Sequence, residues 1–172
     1  MELWDILDEN GNKTGRTVER KKKNTMGENE YMLAVHIYIY NSNMQFLIQK
    51  RSELKTMFPG IWDITGGAVT SGEDSISAAI RETKEEIGIS LDNEKMYITT
   101  RLKRPHCFVD IWFAKADFNI SDCVLQKEEV DDVKWVSAAD LIKLVFEAEY
   151  RDDDYKAIIE KELERLSVRD GI

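Results

Sequence analysis

The ten residues YMLAVHIYIY, from Tyr31 to Tyr40, are apolar at every position except His36. A run that short, rich in β-branched and aromatic side chains, predicts a well-buried strand. Asn41-Ser42-Asn43 reads as a turn, and QFLIQKR as the partner strand. Upstream, LWDILDENGNKTGRTVER predicts a hairpin about Asn10-Gly11. The polar stretch ERKKKNTMGENE reads as a loop, its basic run as a solvated surface, with a phosphate contact as the alternative. SELKTMFPG is a loop ending in a Pro-Gly turn, and IWDIT is a short strand leading into Gly66-Gly67. From Glu73 the period becomes helical. Ile76, Ile80, Thr83 and Ile87 fall on one stripe, and Gly88 sits where a helix takes its terminal glycine. KMYITTRL and HCFVDIWFAKA predict two strands joined through Pro105, and VDDVKWV predicts another. Ser137, with Asp140 three residues on, opens a helix over DLIKLVFEAEY. A last helix covers DDDYKAIIEKELERL, with Ile158, Ile159, Leu163 and Leu166 as its apolar positions. There is no repeat and no linker. The pattern predicts one α/β domain over residues 1–172, a mixed sheet with helices packed on it.

Composition narrows the function. At 172 residues, with 42% apolar and 33% charged, the chain has room for one real core. A net charge of −9 argues against a nucleic-acid backbone as partner, which needs clustered cationic surface. Small phosphorylated substrates stay open, because metal ions screen the repulsion. Cys107 and Cys123 form no C-x-x-C pair and have no His at zinc spacing, so they read as free thiols in a reducing compartment. The longest apolar run is too short to span a membrane, and MELWDILDENG lacks a signal-peptide pattern. A cytoplasmic protein with no membrane partner is expected.

The unusual feature is a crowd of carboxylates. Glu82, Glu85 and Glu86 fall within five positions of the predicted helix. Like charges at that spacing repel by a few tenths of a kcal/mol per pair. On a helix Glu82 and Glu86 stack, Glu85 lies beside them, and their face is turned from the isoleucine stripe. Hard oxygens presented together suit Mg²⁺ or Mn²⁺. Arg81 stands four residues before Glu85 and can pair with it. Gly66 and Gly67 allow a close approach of backbone carbonyls to a metal or substrate.

The spacing is more specific still. Gly67, five residues, Glu73, seven residues, then Arg81-Glu82-Thr83-Lys84-Glu85-Glu86-Ile87-Gly88-Ile89 resembles the Nudix hydrolase signature, G-x5-E-x7-R-E-U-x-E-E-x-G-U. Thr83, at a bulky aliphatic position, is the one departure; it removes no carboxylate. The resemblance covers most of the chain and implies the Nudix fold, a mixed β-sheet sandwiched between α-helices. It implies that Glu82, Glu85 and Glu86 bind the divalent cations or activate water. It also implies a metal-facing carbonyl at Gly66, an orienting Arg81 and a supporting Glu73. A later-loop carboxylate is expected at Glu129, with Glu128 as the alternative. The chemistry is then metal-assisted attack of water on a small-molecule diphosphate of the nucleoside diphosphate-X type.

The stretch FLIQKRSELKTMFPGIWDITGGAV is similar to the branch related to isopentenyl-diphosphate isomerase, where the positions of Arg51 and Lys55 hold a diphosphate. Isomerisation is therefore the second reading. That enzyme needs a cysteine where this chain has Gly67, and a metal histidine where it has Met32. A third reading is a non-catalytic Nudix-fold binding module, against which the intact carboxylates argue. Trp62, Phe58 and His106 are candidates to touch a leaving group, each also readable as a packing residue, and His36 reads as structural. The family resemblance also allows a homodimer.

Overall fold

The structure is a computed structural model and describes residues 2–146 and 152–169. Strands β1 (Leu3–Leu7) and β2 (Lys13–Glu19) form an antiparallel hairpin. Its turn is five residues long: the Asp8 side chain accepts from the amides of Asn10 and Asn12, and Gly11 takes φ 82. The basic segment read as a loop winds into a 3-10 helix over Arg20–Thr25.

The main sheet is built on β3 (Met32–Tyr40). It pairs in parallel with β8 (Cys107–Lys115) along its whole length, and antiparallel with β6 (Thr65–Ala68). β7 (Met96–Arg104) adds antiparallel to β8. β4 (Phe46–Arg51) departs from the sequence reading. It meets β3 at the single pair Tyr40 and Phe46, then runs along β9 (Val130–Val136) and the short β5 (Trp62–Asp63). A strand has two edges, and β8 and β6 take both edges of β3, so β4 must turn away.

Helices cover both faces. α1 (Ser75–Ile87) packs on Val35, Ile37 and Ile39 of β3; α2 (Ala138–Phe146) and α3 (Asp153–Arg169) cover the face of Tyr38 and Tyr40. The alternation along β3 thus feeds two cores, the period-two pattern of a strand with both faces buried. Ala78 and Ala79, which the isoleucine stripe passed over, are fully buried and let α1 sit close to the sheet, with Ile76 and Ile80 flanking. The predicted helix from Asp140 is observed to Phe146; its last four predicted positions lie outside the described residues. A small third core of Trp4, Ile6 and Val18 joins the hairpin to Met32 and Ala68.

Candidate active site

α1 begins where Asp74 caps the Ser77 amide, and ends on Gly88 in the left-handed region at φ 77. Beyond it, the Val124 and Gln126 amides donate to the carbonyls of Ile87 and Glu86. This ties the loop before β9 to the end of α1. The Ser52 amide then donates to the Glu129 carbonyl, and the Ser52 hydroxyl to that of Lys127. The late-loop carboxylate is placed by these backbone bonds.

The three helix glutamates occupy different environments. Glu86 is buried and accepts from Gln49 Nε2 at 2.9 Å; Gln49 Oε1 in turn accepts from the Thr65 hydroxyl. Burial pushes its pKa up to about 8, against the Gln49 bond, with the charges of Glu82 and Glu129 adding to the rise. Glu82 keeps 16% of its side chain exposed and Glu85 53%. Burial also raises the Glu82 pKa, in part offset by Arg81. The carboxylates therefore do not share an open helix face, as the sequence suggested. They run from the buried interior at Glu86 to solvent at Glu85.

Arg81 anchors the group. It donates twice to Glu73, at 2.9 Å each, once to Glu82 at 2.8 Å, once to Glu85 at 3.1 Å, and to the Ala68 carbonyl. The Glu73 bond contributes most to raising the guanidinium pKa. Burial works against ionised Glu73, yet bonds from Arg81 and Thr70 hold its pKa below the usual range. The predicted pairing with Glu85 is present, but the fork-to-fork bond goes to Glu73.

Gly67 explains the first glycine of the signature. A Cβ there would lie 2.1 Å from Glu82 Cδ, so the carboxylate rests against bare backbone. Gly66 and Gly67 are strand residues of β6, paired with His36 and Val35.

These groups line a cavity of about 420 Å³ with Glu129. The cavity also receives Arg51 and Lys55. Lys55 Nζ is ion-paired with Glu129, and Arg51 donates to the Phe58 and Met57 carbonyls, bracing the loop that carries them. Glu128 is exposed and outside the cavity. Sequence reasoning missed Glu2 and Trp4 and ranked the basic run first as solvated surface, yet Arg20 and Lys23 of that run reach the same cavity from the 3-10 helix. The signal was the run Arg20-Lys21-Lys22-Lys23 in an acidic chain. Trp62 lies under Lys134 Nζ at 4.0 Å, Phe58 is exposed, and His36 bonds Tyr155 on the opposite face of the sheet.

The donor chemistry fits Mg²⁺ or Mn²⁺: hard oxygens, two of them on carboxyls whose burial already disfavours their charge. Among the described residues no three acidic, Cys or His side chains stand converged on one point. Arg81 draws Glu82 and Glu85 instead, so a cation would have to displace part of that pairing.

The fold is an α/β sandwich in which the acidic helix α1 and the cationic side chains Arg20, Lys23, Arg51 and Lys55 line one cavity. The NUDIX domain model matches residues 30–159, and the chain belongs to the Nudix family. An uncharacterised Nudix hydrolase of Listeria monocytogenes is 39% identical over 151 residues, 87% of this chain and 88% of the relative. An isopentenyl-diphosphate Delta-isomerase of Pectobacterium atrosepticum is 30% identical over 136 residues, 77% of this chain and 74% of the relative. A crystal structure from Deinococcus radiodurans shares the fold at TM-score 0.73 and 21% identity, covering 93% of this chain and 98% of that one. No helix among the described residues is long and apolar enough to cross a membrane.

Proposed function

We propose that this Nudix hydrolase is metal-dependent and cleaves the diphosphate bond of a nucleoside diphosphate-X type substrate by attack of water on phosphorus. The observation that carries the reading is the cavity itself, where Glu82, Glu85, Glu86 and Glu129 meet Arg20, Lys23, Arg51 and Lys55. An acidic cluster alone would repel a diphosphate, and a basic one alone would bind it without cleaving it. Glu82, Glu85, Glu86 and the Gly66 carbonyl would hold Mg²⁺ or Mn²⁺. A cation bound there would supply neutralisation of the diphosphate charge and a lowered pKa of water. Arg81 orients Glu82 and Glu85, and Glu73 orients Arg81. Lys55 and Arg51, with Arg20 and Lys23, bind the phosphate oxygens; Glu129 accepts the proton of the attacking water once Lys55 turns to substrate. The hairpin outside the family match serves the same site: the Ser71 amide donates to Leu3, and Asp5 accepts from Ser71 and Gly72, all in the signature loop. Two free cysteines fit a cytoplasmic setting.

The test is a panel of diphosphate compounds with Mg²⁺ or Mn²⁺, read by phosphate release and product identity. Turnover that survives excess chelator would overturn the metal-dependent reading. The isomerase relative supports a second reading, but Gly67 lacks the acid/base cysteine, and Glu82 fills the space a side chain would need.

A further inference from the structure

Leu47, Gln49 and Arg51 alternate along β4 and share one of its faces. Leu47 lies in the core beneath α1, and Arg51 lines the cavity. Gln49 stands between them, a polar side chain only 3% exposed. A group buried so deeply needs partners for both ends of its amide. The Thr65 hydroxyl donates to Gln49 Oε1 at 3.0 Å, and Gln49 Nε2 donates to Glu86 Oε2 at 2.9 Å. All three side chains are buried, and they come from three elements, β6, β4 and α1. Neither Gln49 nor Thr65 lies in the signature, which begins at Gly67.

Glu86 is set apart from its neighbours by this chain of bonds. Arg81 donates to Glu73, Glu82 and Glu85, and a cation has to displace part of that pairing. Among the described residues, the side-chain donor to Glu86 is Gln49 instead. An amide carries no net charge, so it fixes the carboxylate without competing with a cation, as outer hydrogen bonds to metal ligands do. With Oε2 turned to Gln49, Oε1 is the oxygen left to the cavity that Glu86 lines. A carboxylate held that way binds through one oxygen. Mg²⁺ and Mn²⁺ accept that in six-fold geometry, whereas the larger Ca²⁺ gains from taking both oxygens of one carboxylate. We infer that Gln49 is a positioning residue: braced by Thr65, it holds Glu86 as a one-oxygen ligand and so sets the cavity toward Mg²⁺ or Mn²⁺ and against Ca²⁺. This role rests on the metal-dependent reading of the cavity.

Mn²⁺ binding to the substrate-free protein, counted by electron paramagnetic resonance with Mg²⁺ or Ca²⁺ as competitor, tests it without turnover. Gln49→Met keeps the length of the side chain and removes both hydrogen bonds. It should weaken Mn²⁺ and Mg²⁺ binding about tenfold or more and Ca²⁺ binding about threefold or less, so the preference for Mg²⁺ narrows. Thr65→Val leaves Gln49 in place and removes its brace. It should weaken Mg²⁺ binding about threefold and move the preference the same way, and it carries the test should Gln49→Met fail to fold. A glutamine that only fills space would leave the ratio of the two affinities unchanged in both variants, and that result overturns the inference. Wild-type protein that binds no Mn²⁺ saturably overturns the metal-dependent reading and this role with it; saturable binding whose ratio does not move overturns the role alone. A ratio that moves, in a protein that hydrolyses none of the diphosphate compounds, supports the role and overturns the hydrolase chemistry.

Discussion

Glu86 is the residue on which the site's chemistry and its stability pull in opposite directions. The folded chain holds its proton up to about pH 8, whereas its ordinary value is 4.5. Between those values the folded state binds a proton that the unfolded state has released, so stability falls as pH rises through that window. Melting of the metal-free protein should show that decline, and Glu86→Gln should remove much of it. The same variant should lower kcat about a hundredfold or more, the scale of removing one group that stabilises charge at the reacting centre. A variant with wild-type turnover and a lower melting temperature would make the glutamate structural. Gly67 gives a second residue-scale expectation. The wild-type chain, incubated with isopentenyl diphosphate and Mg²⁺, should yield no dimethylallyl diphosphate, for want of a side chain to exchange the proton. Gly67→Cys should not create that activity, because its Cβ would collide with Glu82. Product from either chain would reverse the choice between the two enzyme readings.

On the element scale, α1 was legible from the sequence almost to the residue, because its stripe and terminal glycine are local features. Thr83 shows the limit of that reading. The sequence marks it only as a departure from the signature's aliphatic position; in the fold it is buried and its hydroxyl donates to the Ala79 carbonyl at 2.8 Å. Thr83→Val therefore trades a satisfied bond for apolar surface. It should change stability by less than about 1 kcal/mol and leave kcat near wild type. Gly88→Ala should behave differently. Its φ of 77 strains an L residue by roughly 1–2 kcal/mol. The added Cβ would also stand 2.9 Å from the Val124 backbone, at the start of the loop that carries Glu129. Melting and kinetics on both variants should show Gly88→Ala losing stability and kcat together. An unchanged kcat in Gly88→Ala would mean that the loop's seat on α1 does not govern the site. The partners of β4 were not legible, for a contrasting reason. A short turn after β3 suggests a hairpin, but which edges of β3 stay free is decided by β6 and β8, distant in sequence.

At the scale of the whole molecule, the same distinction sorts the site. The carboxylates were readable because one helix carries them at a fixed spacing. Trp4, Arg20 and Lys23 were not, because their place depends on how the hairpin docks on Met32, Ala68 and the signature loop. The chain gathers five carboxylates and five cationic side chains in one cavity, within a molecule of net charge −9. Without metal, the buried carboxyls are tolerated by keeping protons or leaning on Arg81 and Gln49. Anything that binds the folded site and not the unfolded chain adds stability in proportion to the logarithm of its saturation, about 2.7 kcal/mol at a hundredfold excess over Kd. Mg²⁺ should thus raise the melting temperature by several degrees, and more at alkaline pH, where the site is deprotonated and competes less with protons. Glu82→Gln and Glu86→Gln should each blunt that rise, and chelator should return the wild-type chain to its metal-free melting point while stopping turnover. Exposed charge offers the control: Glu128→Gln, outside the cavity, should keep the full Mg²⁺ response. A response that vanished equally in Glu128→Gln would mean that Mg²⁺ acts by screening the acidic surface as a whole, and the metal site in the cavity would fail.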